Sequence, residues 1–83
     1  MTPPVKMYTL STCSHCKAAR KFLESRGVKY ESYDVDLFSG EEQSALIEEV
    51  RKINPGCTFP TIIIGNKIIV GFREQTVREA LGL

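Results

Sequence analysis

Apolar spacing changes several times along this 83-residue chain, and each change marks a boundary between elements. Val5 to Leu10 alternates loosely between a proline pair and Ser11-Thr12, which predicts a strand. From Cys13 to Arg26 the spacing becomes helical: Ala18, Ala19, Phe22 and Leu23 fall on one face, and Lys17, Arg20, Lys21 and Glu24 fall elsewhere. Gly27 stands where a left-handed glycine ends a helix. Lys29 to Asp36, with two tyrosines and a valine, predicts a second strand. Ser39-Gly40-Glu41-Glu42 has capping-box spacing, with the Ser39 hydroxyl expected to accept from the Glu42 N–H. Leu46, Ile47, Val50 and Ile53 then mark an amphipathic helix that Asn54-Pro55-Gly56 terminates.

Two β-branched runs follow, Thr61 to Ile64 and Ile68 to Val70, the second led by Lys67. The Gly65-Asn66 pair between them predicts a hairpin, and Gly71 closes it. Val77, Ala80 and Leu81 share one face of a last helix running from Arg73 to Leu81. The expected order is β-α-β-α-β-β-α, an α/β fold. Its first two strands should be parallel through a right-handed crossover and its last two antiparallel. No repeat, linker or low-complexity stretch interrupts the pattern, so residues 1–83 are expected to form a single domain.

Composition narrows the class. Eleven basic against ten acidic residues leave a net charge of +1 and no polybasic run, which argues against nucleic-acid and anionic-membrane partners. Met1-Thr2-Pro3-Pro4-Val5-Lys6 lacks the charge and apolar core of a signal peptide. No apolar stretch approaches the ~20 residues of a membrane span, so a cytoplasmic monomer is expected. Three cysteines, an odd count, fit a catalytic or metal-binding pair better than a disulfide scaffold.

Cys13-Ser14-His15-Cys16 follows a predicted strand and opens a predicted helix. A thiol at a helix N-terminus faces unsatisfied N–H groups and the positive end of the helix dipole, which favour the thiolate, the attacking species in disulfide exchange. Cys13 is therefore the candidate nucleophile, and Cys16, one turn deeper, the candidate resolving thiol. His15, with Ser14 beside it, is placed to tune the Cys13 thiolate by charge or hydrogen bond; the bland alternative is a solvated helix residue.

Tyr8-Thr9-Leu10-Ser11-Thr12-Cys13-Ser14-His15-Cys16, then Thr58-Phe59-Pro60 before the hairpin, then Gly71-Phe72 before the last helix, resembles the glutaredoxin family of the thioredoxin superfamily over nearly the whole chain. The resemblance implies a thioredoxin-like four-stranded mixed sheet in order 2-1-3-4 with three helices. It implies that Pro60 is cis and that Thr58, Phe59, Pro60, Gly71 and Phe72 contact substrate or glutathione, Phe59 through its backbone. The implied activity is dithiol–disulfide exchange on protein or glutathione mixed disulfides, with no required cofactor. Glutathione-using members carry a lysine where this chain has Leu10 and Arg or Gln where it has Cys57. Where they have Gly-Gly followed by Ser or Asp, this chain has Gly71-Phe72-Arg73-Glu74-Gln75. That last run resembles the glutaredoxin-like redoxins that feed ribonucleotide reductase and are reduced by a flavoprotein thioredoxin reductase. Electron donor and co-substrate are thus either such a flavoprotein or glutathione.

Other readings of the same residues stand beside this one. A zinc module would draw on Cys13, His15, Cys16 and Cys57, although a histidine between two cysteines on one helical turn converges poorly with both on a tetrahedral ion. A glutathione-linked iron–sulfur glutaredoxin would use Cys13, with Ser14 loosening the loop. A binding module without activity would tolerate the loss of one cysteine, and both are present. Lys17, Arg20, Lys21 and Arg26 make the first helix basic and Glu41, Glu42, Glu48 and Glu49 make the second acidic, which reads simplest as two solvated faces.

Overall fold

A computed structural model describes residues 3–83. Its elements are β1 (Val5–Thr9), α1 (Ser14–Ser25), β2 (Glu31–Asp34), a 3-10 turn (Val35–Leu37), α2 (Gly40–Ile53), β3 (Thr61–Ile64), β4 (Lys67–Val70) and α3 (Glu74–Leu81). The sheet runs β2-β1-β3-β4, with β1 and β2 parallel and the other two pairs antiparallel. This is the thioredoxin-like order that the resemblance implied.

Strand alternation divides the core into two layers, because successive side chains leave a strand on opposite faces. On one face Val5, Met7, Ile62, Ile64 and Ile69 meet Ala19, Phe22 and Leu23 of α1 and Val77 and Leu81 of α3. On the other, Tyr8 meets Val50 of α2 and Val35, with Leu10, Tyr33, Leu46, Ile47, Ile53, Phe59 and Ile63 packed around them. The hairpin turn has positive φ at Gly65 (62°) and not at Asn66, the pattern of a type II′ turn. Gly27, at φ 67°, follows α1 in the left-handed conformation that glycine adopts most readily.

Four local expectations need correction. The second strand was expected over Lys29 to Asp36, but its ladder to β1 runs only from Lys6–Glu31 to Thr9–Asp34. Beyond it the chain coils into the 3-10 turn, which buries Val35 and turns Asp36 outward. The first strand stops at Thr9 rather than Leu10, because the Leu10 carbonyl instead accepts from the Cys13 N–H at 3.2 Å and starts a turn. Ala18 is exposed, and Cys16 takes its place on the buried face with Ala19, Phe22 and Leu23. Ser39 occupies the N-cap position of α2 but makes no side-chain cap bond; Glu41 and Glu42 supply negative charge to that first turn instead. Among the described residues, no helix is long and apolar enough to cross a membrane.

Candidate functional site

The strand pairing gathers the predicted residues at one edge of the sheet. Thr9 lies beside Asp34, Tyr8 beside Thr61 and Thr61 beside Val70. The ends of β1, β2 and β4 and the start of β3 therefore coincide. The segments holding Cys13, Asp36, Thr58 to Pro60 and Gly71-Phe72 leave the sheet there.

Cys13 is the N-cap of α1, with extended backbone at φ −80° and ψ 118°. Its Sγ accepts from the Cys16 N–H at 3.2 Å, filling the position that a Ser or Asp oxygen takes in ordinary caps. Cys13 is half-buried, whereas Cys16 has no exposed surface. Burial pushes the Cys16 thiol up to about 12, and a hydrogen bond and negative charge from Cys13 act in the same direction. The Leu10 backbone and the Arg20 guanidinium oppose that shift without reversing it. Ser14 and His15 are exposed on the first turn of α1. The hydrogen bond that reaches Cys13 Sγ comes from the helix backbone, not from His15.

Polar anchors hold the approach to Cys13. The Asp36 carboxylate accepts from the Ser11 N–H at 2.8 Å and from the Ser11 hydroxyl, and the Ser11 hydroxyl bond is the first cause holding Asp36 below its usual range. Thr9 donates to Asp34 at 2.6 Å, and Arg20 bridges Thr9 and Asp34 from α1.

The Thr58-Phe59-Pro60 loop enters β3 at the same end of the sheet, with Phe59–Pro60 cis and Pro60 buried. The Gly71 N–H donates to the Pro60 carbonyl at 2.8 Å, so Gly71, at φ 81°, extends the β3–β4 ladder into the loop. Phe59 is half-buried in the α2-side cluster with Leu10 and Cys57. Phe72 packs on the opposite side, its ring centroid 5.9 Å from that of Phe22 on α1. Among the described residues, neither the N–H nor the C=O of Phe59 has a hydrogen-bond partner. Cys57 is half-buried with a positive φ of 49°, its N–H donating to the Asn54 carbonyl at 2.8 Å.

Asn54, Asp36 and the Thr9–Arg20–Asp34 group were not among the sequence candidates. Asn54 read as a helix terminator, yet it is only 5% exposed, and its amide Nδ2 reaches Thr58 and Thr61. A polar Asn directly after an apolar helix face was the available signal. Two concavities lie elsewhere. One of about 500 Å³ is lined by Pro4, Lys6, Lys29, Tyr30 and Ile63, and one of about 340 Å³ by Lys67, Ile68, Thr76 and Glu79. Neither is lined by Cys13, Cys16 or the Phe59–Pro60 loop. Among the described residues, no three His, Cys, Asp or Glu side chains form a metal-binding group.

A cysteine capping a helix, a second cysteine sealed one turn inside and a cis proline leading into β3 define a thioredoxin-fold protein with a paired-cysteine site. Comparison with known proteins makes the assignment narrower. The Glutaredoxin family model matches residues 5–69, and the chain belongs to that family. It is similar to methanoredoxin from Methanosarcina acetivorans, with 46% identity, a TM-score of 0.93, and coverage of 99% of this chain and 87% of that one. It is 35% identical over 65 residues to glutaredoxin 1 of Rickettsia typhi, covering 78% of this chain but only 60% of that protein's length. It is 26% identical over 75 residues to the glutaredoxin-like protein NrdH of Salmonella typhimurium, covering 90% and 85%.

Proposed function

We propose that the protein reduces disulfides by dithiol exchange through Cys13 and Cys16. The carrying observation is the Cys13 sulfur seated on the Cys16 N–H at the start of α1, where a negative sulfur is the best acceptor that N–H can find. In the proposed reaction the Cys13 thiolate attacks one sulfur of a substrate disulfide. A Cys13–substrate bond forms, the substrate S–S bond breaks, and the other sulfur leaves as a thiolate that takes up a proton. Cys16 then loses its proton and attacks Cys13 Sγ, forming the Cys13–Cys16 disulfide and releasing the second substrate thiol. Two electrons pass from the dithiol to the substrate.

Burial keeps the Cys16 thiol protonated at rest, and the further opposition from Cys13, by hydrogen bond and negative charge, is relieved once Cys13 is tied up in the mixed disulfide. The unpaired Phe59 backbone would receive an extended segment of substrate as an added strand, with Thr58, Pro60, Gly71 and Phe72 shaping the groove. His15 and Ser14, exposed beside Cys13, would meet the substrate first.

A flavoprotein of the thioredoxin-reductase type is the proposed electron donor, in preference to glutathione. Leu10 lies in the apolar cluster with Phe59 and offers no cation to the carboxylate of a tripeptide. The likeness to NrdH supports the same preference, and ribonucleotide reductase becomes the partner to test among protein disulfides. The test supplies the oxidised protein with NADPH and either thioredoxin reductase or glutathione plus glutathione reductase, and follows insulin disulfide reduction. Faster turnover with thioredoxin reductase supports the reading. Absence of turnover with both donors overturns it.

A further inference from the structure

We infer that Asn54 is a positioning residue for substrate capture, its buried amide setting the direction in which the Phe59 N–H is presented. This rests on the dithiol-exchange reading above.

The two hydrogens of Asn54 Nδ2 are shared among the Thr58 carbonyl at 3.2 Å, Thr58 Oγ1 at 3.0 Å and Thr61 Oγ1 at 3.1 Å. Thr61 Oγ1 in turn donates to the Thr58 carbonyl at 2.8 Å. A carbonyl oxygen only accepts, so the amide must turn its NH₂ towards Thr58. Both backbone groups of Asn54 are engaged as well: its N–H donates to Val50 at 2.7 Å and its carbonyl accepts from Cys57 at 2.8 Å. The side chain is thereby fixed relative to α2 and to the Asn54–Cys57 turn. Asn54 is 5% exposed and Thr61 fully buried, so the exposed Thr58 is held from its buried side by two fixed donors.

The functional consequence follows from peptide planarity. The Thr58 carbonyl and the Phe59 N–H belong to one peptide unit, and that unit is trans. With the carbonyl drawn inward by Asn54 and Thr61, the N–H is directed the opposite way and stays unpaired. On the far side of Phe59, the Pro60 carbonyl is held by the Gly71 N–H at 2.8 Å. Phe59 thus sits between two pinned carbonyls, pre-set to pair with an incoming strand, and a substrate loses less entropy on docking to a fixed partner.

The test uses Asn54→Asp, which keeps the shape but puts an acceptor against the Thr58 carbonyl, together with Thr61→Val and Thr61→Ser. Steady-state reduction of a peptide disulfide is measured at a temperature where circular dichroism shows the proteins folded. Cys13 alkylation by iodoacetamide is followed in parallel. Asn54→Asp and Thr61→Val should raise KM roughly three- to tenfold, the scale of one lost hydrogen bond, with kcat and Cys13 alkylation little changed. Thr61→Ser, which keeps the hydroxyl, should restore KM to within about twofold. The Thr61 pair decides the matter should Asn54→Asp fail to fold. Unchanged KM in the folded variants, or a Thr61→Ser protein as impaired as Thr61→Val, overturns the inference. A wild type that reduces no disulfide overturns the dithiol reading and this inference together, whereas an active wild type with unaffected variants overturns this one alone.

Discussion

The buried Cys16 thiol should ionise far later than an ordinary cysteine, and the Cys13→Ser/Cys57→Ser protein, with Cys16 its only thiol, exposes this directly. Burial is the first cause of the shift from 9.0 to about 12, and burial survives the loss of Cys13. At pH 8 a thiol at 12 is ionised to about one part in ten thousand, against about one in ten for a thiol at 9, a gap of roughly a thousandfold in the wild type, of which the variant keeps the part due to burial and loses the part due to Cys13. The rate of Cys16 alkylation by iodoacetamide should climb about tenfold per pH unit from pH 7 and still be rising near pH 10. Slowness alone would report shielding by the fold. The pH at which the rate levels off reports ionisation. The sign for stability follows: a folded-state value raised above 9.0 favours the neutral thiol, so its contribution is complete below about pH 9 and is lost as pH rises towards 12. A plateau in alkylation rate below pH 9 in the folded protein would refute the reasoning.

Two further perturbations test the frame around the site. Asp36→Asn removes the carboxylate that grips Ser11 and should lower the urea midpoint at pH 7. Because the folded Asp36 value is depressed below 3.8, its contribution is present above that pH and is lost as pH falls below it. The two midpoints should therefore converge in acid, and a constant gap down to pH 3 would count against the clasp. Val50→Ala deletes two methyl groups from the one fully buried position of α2 and should cost about 2 kcal/mol, a fall in Tm of roughly 8–16 °C by calorimetry. A change under about 2 °C would mean that α2 contributes little to the second core layer.

Much of this arrangement was legible in the residues. Element order follows from spacing, and Cys13 and Cys16 stand out because a strand delivers them to a helix start. The cis state of Pro60 needed the family resemblance, since an X–Pro bond is usually trans and local sequence does not decide it. The overlong second strand has a physical cause: Val35 continues the alternation of Tyr33, but β1 offers no partner beyond Thr9. Ala18 was misplaced because alanine sits as comfortably on a wet helix face as on a dry one. Asn54 and Asp36 were missed for a different reason. Each has an obvious local use, as a helix stop or a turn residue, while its actual partner is supplied by the tertiary fold. Asp36 lies 25 residues from Ser11, and Asn54 meets Thr61 only because the loop doubles back.

Trapping the mixed disulfide tests the assignment of nucleophile and resolving thiol most directly. The Cys16→Ser protein, reduced and mixed with an excess of a peptide disulfide, is digested and its adduct mapped by mass spectrometry. The adduct should lie on Cys13, persist because nothing resolves it, and be absent from the Cys13→Ser protein. An adduct on Cys57 instead, or full disulfide reductase activity in the Cys13→Ser protein, would contradict it.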